Sequence, residues 1–292
     1  PSDVSLHPLY GALPRDEQDA AVEPPAPGRR KVVLATSIAE SSLTIEGIRV
    51  VVDTGWMRVP RFSPATGMSR LETLRITRDR ADQRRGRAGR LGPGVCYRLW
   101  DDATDAQLAP ESLPEIFDAD LAPTVLQCAE WGSAARDGLP WLTPPPDAAW
   151  RHATALLQEL GALKSPAPAI TPRGRAMAQL PIHPRLAHMV LEAARAGCAQ
   201  RACLLAAALT EAASDSSLRR ETDARRLLDR LAGDARDDFA RRAHELARRW
   251  GHAYPSDRAR LSEGQLLAWA FPDRVARRRD AAGHFLLRSG RG

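Results

Sequence analysis

The chemistry of this 292-residue chain is concentrated in the octet QRRGRAGR at residues 83–90, which holds four arginines, two glycines and no apolar side chain larger than alanine. In a helix, Gln83, Arg87 and Arg90 stand at i, i+4 and i+7 and share one face. One amide and two guanidiniums reaching the same side suit a polyphosphate. Arginine presents a fixed fork of donors and keeps its charge where negative charge develops during phosphoryl transfer. Gly86, Ala88 and Gly89 leave the surrounding backbone open. Each glycine costs about 1 kcal/mol relative to alanine inside a helix, which predicts a close approach to that backbone. The octet alone also fits a basic helix that grips nucleic acid without reading its sequence.

A second constellation lies upstream. ATSIAESSLTIEG (35–47) follows the apolar run KVVLAT (31–36), at the carboxyl end of a predicted parallel strand, where α/β proteins place ligand loops. Thr36, Ser37, Ser41, Ser42 and Thr44 supply small hydroxyls for phosphate or ribose. Glu46 can accept from ribose hydroxyls.

These residues need elements to position them. KVVLAT and IRVVVDTG (48–55) are β-branched and almost continuously apolar, as buried parallel strands are. WMRVPRF and MSRLETLRI flank SPATG and predict a β-hairpin from Trp56 to Ile76. Helical character runs from Arg78 to Arg90, and GVCYRLW (94–100) predicts another strand. From about residue 104 the texture becomes helical. Asp118 is a candidate N-cap for LAPTVLQCAEW, with Gly132 as its stop. Gly161 suits the position just past WRHATALLQEL. Four further segments, at 185–197, 200–212, 238–250 and 263–271, carry apolar stripes that predict core packing.

Bulk properties decide less. The net charge of +6 favours an anionic partner. Only Lys31 and Lys164 are lysines, however, and arginine, alanine and proline are abundant throughout, so placement outweighs the total. Cys96, Cys128, Cys198 and Cys203 form no C-x-x-C pair and no zinc spacing. They are expected to be reduced and mostly buried, with no metal site. No apolar run approaches twenty residues, which predicts no membrane span, and a cytoplasmic location is expected.

PLYGALPRDEQ (8–18), RRKVVLATSIAESSLTIEG (29–47), the hairpin and QRRGRAGR, in that order, resemble the second RecA-like domain of DEAH-type RNA helicases. LPEI (113–116), LQELGAL (157–163), TPRGRAMAQLPIHPRLA (171–187) and AFPDRVARRR (270–279) resemble that family's winged-helix and ratchet regions. The resemblance implies a partial α/β RecA-like parallel sheet with a β-hairpin over 1–103, incomplete at its N-terminal side. A winged-helix-like domain over 104–178 and a helical, ratchet-like bundle over 179–292 would follow, the last including the start of a further segment. It implies that Arg87 and Arg90 are arginine fingers and that Gln83 senses the γ-phosphate and positions water. Ser42, Thr44 and Glu46 would lie beside the nucleotide. Gly11, Thr36 and Ser37 would touch the nucleic-acid backbone, RNA by analogy and with DNA not distinguished. Two departures stand out: Ser37 and Ser41 replace the family's Asn and Thr, and Val22 stands where several relatives place a base-stacking phenylalanine.

No G-x-x-x-x-G-K-[ST] loop occurs, and Asp16-Glu17 is followed by Gln18-Asp19 rather than completing D-E-x-H. ATP and Mg²⁺ would therefore be held mainly by a first RecA-like domain outside this sequence, and the chain alone is expected to be inactive. Two functions follow: the carboxyl-side portion of an ATP-dependent RNA helicase, or a stand-alone nucleic-acid-binding module without catalysis.

Overall fold

The protein is described by a computed structural model covering residues 3–11, 13–41, 45–63, 68–214, 223–233, 237–280 and 284–288. The chain divides into two compact units, Pro1–Ala119 and Asp120–Gly292.

The first unit runs β1 (Val4–Leu9), α1 (Arg15–Val22), β2 (Arg30–Ala35), α2 (Ile38–Ser41), β3 (Val50–Asp53), β4 (Trp56–Ser63), β5 (Met68–Arg75), α3 (Arg78–Ala88), β6 (Val95–Arg98) and α4 (Asp102–Gln107). β1 and β2 pair in parallel from Val4↔Arg30 to Leu9↔Ala35, and β3 and β6 from Val50↔Val95 to Asp53↔Arg98. The parallel strands expected from sequence are therefore present, as two two-stranded pairs. The hairpin is present too, β4 against β5 from Trp56↔Arg75 to Ser63↔Met68; its tip, 64–67, lies outside the described residues.

The expected burial of these strands is not observed. Leu6, Val32, Leu34, Val50, Val52, Val95 and Tyr97 are exposed, while Val33, Val51 and Cys96, alternating with them, are half-buried. A continuous apolar run signals a strand covered on both faces. Here α1 packs against β1, and α3 against β3 and β6; among the described residues nothing covers the other face. Between β3 and β4 the chain turns at Gly55, with φ of 75°, where an added Cβ would lie 2.8 Å from Cε3 of Trp100. Only glycine combines that backbone with that clearance.

The second unit is helical: α5 (Ala122–Trp131), α6 (Asp147–Glu159), α7 (Pro172–Ala178), α8 (Pro184–Arg195), α9 (Ala199–Ser214), α10 (Ala224–Leu231), α11 (Asp238–Gly251) and α12 (Glu263–Ala270), then an antiparallel pair, β7 (Ala276–Arg278) and β8 (Phe285–Leu287). Asp118 does not cap α5. Its carboxylate takes Nε of Arg61 at 2.9 Å, and Asp120 Oδ1 instead accepts the Ala122 N–H at 2.9 Å. Gly132 closes α5 with φ of 111°, and Gly161 follows α6 with φ of 69°, as glycine after a helix allows. Thr171 caps α7 through the Gly174 N–H at 2.9 Å.

The main core joins Leu186, Met189 and Val190 of α8 to Leu205 of α9, Phe239, Ala243 and Trp250 of α11 and Leu266 of α12. Ala202, Ala206, Ala207 and Ala208 are fully buried on α9, small enough to let neighbouring helices close in. Two polar side chains of this unit, Arg185 and His183, are paired. Arg185, 3% exposed, forks onto Asp273 at 2.6 and 2.9 Å. His183 Nδ1 accepts the Arg185 N–H at 3.2 Å, so its proton sits on Nε2, 3.1 Å from Asp120 Oδ2. Burial alone would raise the Asp120 carboxyl, but the hydrogen bonds from His183 and the Ala122 N–H outweigh it and hold the group below its usual range.

The four cysteines are free. Cys128, Cys198 and Cys203 are buried, and burial pushes the Cys203 thiol up to about 12. No helix among the described residues is long and apolar enough to cross a membrane.

Candidate functional site

The site is built on α3. Its first N–H groups are satisfied by a neighbouring segment rather than by a side-chain cap: Arg78 N–H meets the Ala109 carbonyl at 2.9 Å and Asp79 N–H the Pro110 carbonyl at 3.1 Å. Ala81 and Ala88 are buried and set one face of the helix inward. Arg84, 18% exposed at its side chain, lies between them in the helical period.

Two carboxylates receive the arginines of this helix. Glu40, on α2 and 5% exposed, accepts from Arg80 Nη1 at 2.8 Å and from Arg84 Nε at 2.8 Å and Nη2 at 2.6 Å. Asp53, at the end of β3 and 2% exposed, takes Arg84 Nη1 at 2.8 Å and the Gly55 N–H at 3.0 Å, both on Oδ1. Arg87 Nη2 donates to the backbone carbonyl of Glu40. The arginine-rich helix is thereby fastened to the loop that follows β2.

The expected site residues fall into three groups. Gln83 and Arg87 share a face of α3; Gln83 is exposed and Arg87 half-buried. Arg90 departs from expectation, because α3 ends at Ala88 with Gly89 as its C-cap. Arg90 stands in the following bend, exposed, so the i+7 relation does not apply to it. Gly94 passes close to the end of the helix: a Cβ at 94 would lie 2.1 Å from the Ala88 carbonyl oxygen. The close approach expected at Gly86 and Gly89 is likewise absent among the described residues, since a Cβ at either would meet nothing within 4 Å. The backbone at both is open.

Gly11, Thr36 and Ser37 are exposed at the carboxyl ends of β1 and β2, where the Thr36 N–H meets the Leu9 carbonyl at 3.0 Å. The parallel register of this pair brings the three residues to one edge. Glu46 is exposed in the turn before β3. Ser42 and Thr44 lie outside the described residues.

Glu40, Arg84 and Asp53 were not among the residues expected from sequence. Glu40 is an acid in a run of small hydroxyl residues, and its partners lie 40 and 44 positions away. Only the packing of α2 against α3 brings them together.

The donor set fits an anion. Gln83, Arg87 and Arg90 offer an amide and two guanidiniums beside open glycine backbone, which suits the phosphates of a nucleotide. Among the described residues no group of three or more His, Cys, Asp or Glu side chains is placed to hold a metal ion.

Residues 2–92 match the helicase conserved C-terminal domain, and residues 153–182 match the winged-helix helicase associated domain (HA2). The chain is 40% identical over 294 aligned residues to the ATP-dependent RNA helicase HrpB of Escherichia coli (strain K12), across 100% of this chain and 35% of that protein. It is 39% identical over 209 residues to the pre-mRNA-splicing factor ATP-dependent RNA helicase prp22 of Schizosaccharomyces pombe, across 71% of this chain and 18% of that protein. Two solved structures of E. coli HrpB, titled as a DExH-box NTPase and as a DEAH/RHA helicase, match 99% of this chain at 38% identity, with TM-scores of 0.78 and 0.85. The chain covers 34% and 36% of them, so it spans about a third of the length of these relatives. Residues 2–92 are thus a RecA-like helicase C-terminal domain and residues 153–182 a winged-helix helicase associated domain, and over its whole length the chain is similar to about a third of a DEAH-type RNA helicase.

Proposed function

We propose that this chain is the carboxyl-side part of an ATP-dependent RNA helicase, supplying arginine fingers and the nucleic-acid-gripping half of the motor. In this reading Arg87 and Arg90 approach the γ-phosphate of an ATP held mainly by another domain, and Gln83 orients the attacking water. Bound ATP with Mg²⁺ supplies the phosphoryl-transfer energy. The residues of this chain neutralise charge and hold geometry. An arginine finger is worth about 10³–10⁵ in rate, because its fixed guanidinium meets developing charge without reorganising.

One observation carries the reading: Gln83 and Arg90 are exposed beside the open backbone of Gly86 and Gly89, while Arg87 is tied to the loop after β2. A helix that served only as a basic surface would need neither the open glycines nor the tie. Glu46, Ser42 and Thr44, neighbours in sequence, are assigned to the nucleotide. Gly11, Thr36 and Ser37, small and at a strand edge, are assigned to the RNA backbone, where main-chain N–H groups reach phosphate without reading bases.

The test uses the full-length protein. Arg87→Ala should lower RNA-stimulated ATP hydrolysis by about 10³-fold or more and leave RNA affinity within about threefold of wild type. The isolated 292 residues should bind RNA with a steep inverse dependence on salt, as phosphate contacts release counterions, and should not hydrolyse ATP. Loss of RNA affinity with hydrolysis intact would reverse the role of Arg87. A full-length protein with no RNA-stimulated hydrolysis would leave the binding-module reading in its place.

A further inference from the structure

As a finger, Arg87 must be aimed at the nucleotide. A guanidinium on a four-bond stem has many rotamers, and ordering it costs about 2 kcal/mol of side-chain entropy. A finger that must arrive in register needs a fixed rest. In this chain the rest is the backbone carbonyl of Glu40, which receives Arg87 Nη2.

That carbonyl belongs to α2, a helix of only four residues, Ile38–Ser41, too short to be rigid on its own. It is fixed from outside. The Glu40 carboxylate is gripped on both oxygens by α3, Oε2 by Arg80 and Oε1 by Arg84, and the Glu40 N–H is closed onto the Ser37 carbonyl at 3.0 Å. Arg80 is braced by Ser112 Oγ at 2.8 Å, and Arg84 by Asp53 at 2.8 Å. Glu40 is thus fastened to the helix that carries Arg87 and, through its own carbonyl, supports the Arg87 side chain one turn farther along. A closed loop of three arginines and one glutamate holds α2 and α3 in a single relative placement.

We propose that Glu40 is a positioning residue for nucleotide hydrolysis: its carboxylate, clamped by Arg80 and Arg84, fixes the carbonyl that sets the direction of Arg87. The proposal rests on the assignment of Arg87 as a finger. It also links the two ends of the motor half, because residues 36 and 37, assigned to RNA, precede the same short helix. A displacement of α2 on binding RNA would move the rest on which Arg87 lies.

The experiment is a double-mutant cycle in the full-length protein, with hydrolysis measured at saturating RNA. The variants are Glu40→Gln, Arg80→Lys, Arg87→Lys and each of the first two combined with Arg87→Lys. Glu40→Gln keeps the shape and leaves Arg84 on Asp53, so the fold retains its second anchor; Arg80→Lys is the milder check should Glu40→Gln melt early. A misplaced reacting group of about 1 Å can cost about 10²-fold in rate. Glu40→Gln should therefore lower kcat by about tenfold to a hundredfold, with KM for ATP within about threefold. In the Arg87→Lys background, where the fork that needs aiming is gone, the same substitution should cost less than about twofold. Arg80→Lys should show the same coupling at smaller size. Equal loss in both backgrounds, or a rise in KM with kcat unchanged, would overturn the positioning role and leave the finger assignment standing. Arg87→Lys indistinguishable from wild type would remove the finger assignment itself.

Discussion

Two arginines, one in each unit, show how differently the same side chain can be used. Arg185 is 3% exposed and forks onto one acid, Asp273, with Phe271 beside its guanidinium at 5.5 Å. Its neighbours form the apolar core of α8, α9, α11 and α12. Arg84 divides itself between two acids, Glu40 and Asp53, and around it the strands leave apolar side chains in the open. In the helical unit the polar pair is an inclusion in a core that other contacts already hold. In the strand unit the polar network is itself much of what joins one element to the next.

The sharpest way to break the comparison is to remove Arg185. Arg185→Ala strands the Asp273 carboxylate, whose low pKa depends on that arginine offsetting its burial. Losing one partner of a buried pair costs about 3–5 kcal/mol, which should appear as a large fall in the urea midpoint of the helical unit. Replacing both partners, as Arg185→Met with Asp273→Leu, should recover most of it, since a packed apolar pair of similar volume is often neutral or better. If the double substitution stayed as unstable as the single one, the pair would be more than an inclusion.

A second contrast is acid sensitivity. Burial, the first cause, outweighs the carbonyl and Glu192 and holds the His188 imidazole below its ordinary 6.5, aided by Arg173 and Arg195. His188 Nδ1 meets the Trp269 carbonyl at 2.9 Å and Nε2 faces Arg173 at 3.2 Å, so the ring is held neutral. Below pH 6.5 the unfolded chain binds this proton more readily than the folded one, and stability must fall as pH drops toward the folded pKa. Asp120 and Asp273, both lowered, add a further loss below about pH 4, where the unfolded carboxyls take up protons first. The helical unit should therefore lose stability in two stages on acidification. His188→Asn should flatten the stage just below pH 6.5 and leave the lower one; an unchanged profile in urea melts at pH 7, 6 and 5 would remove His188 as its cause.

How much of this was legible in the sequence follows the range of the interactions. Apolar periodicity located α6, α8, α9, α11 and α12 because a stripe along one helix is a local pattern, and the hairpin was legible because its two strands flank their own turn. α10 was not anticipated, being only eight residues long. At the site, the octet announced itself through residue types, and the small residues at 11, 36 and 37 through a family pattern. Glu40 and Asp53 did not, since a carboxylate becomes a clamp only when packing brings arginines from 31 to 44 positions away. Arg90 was misplaced for a related reason. The helix ends at Ala88, with Gly89 as its C-cap and Gly94 passing close by, a contact that no periodicity records.

The smallest expected effects sharpen the comparison from the other side. Val52 is 60% exposed on β3, so Val52→Thr, which keeps the β-branched shape, should change stability by no more than about 0.5 kcal/mol. Thr171 in the helical unit is a cap whose hydroxyl also donates to the Gly161 carbonyl at 2.7 Å. Thr171→Ala should cost about 1 kcal/mol, measurable in the same urea melts. The order of the two reports where each unit keeps its stability. If Val52→Thr proved the costlier, the open face of β3 and β6 would have to be covered in solution.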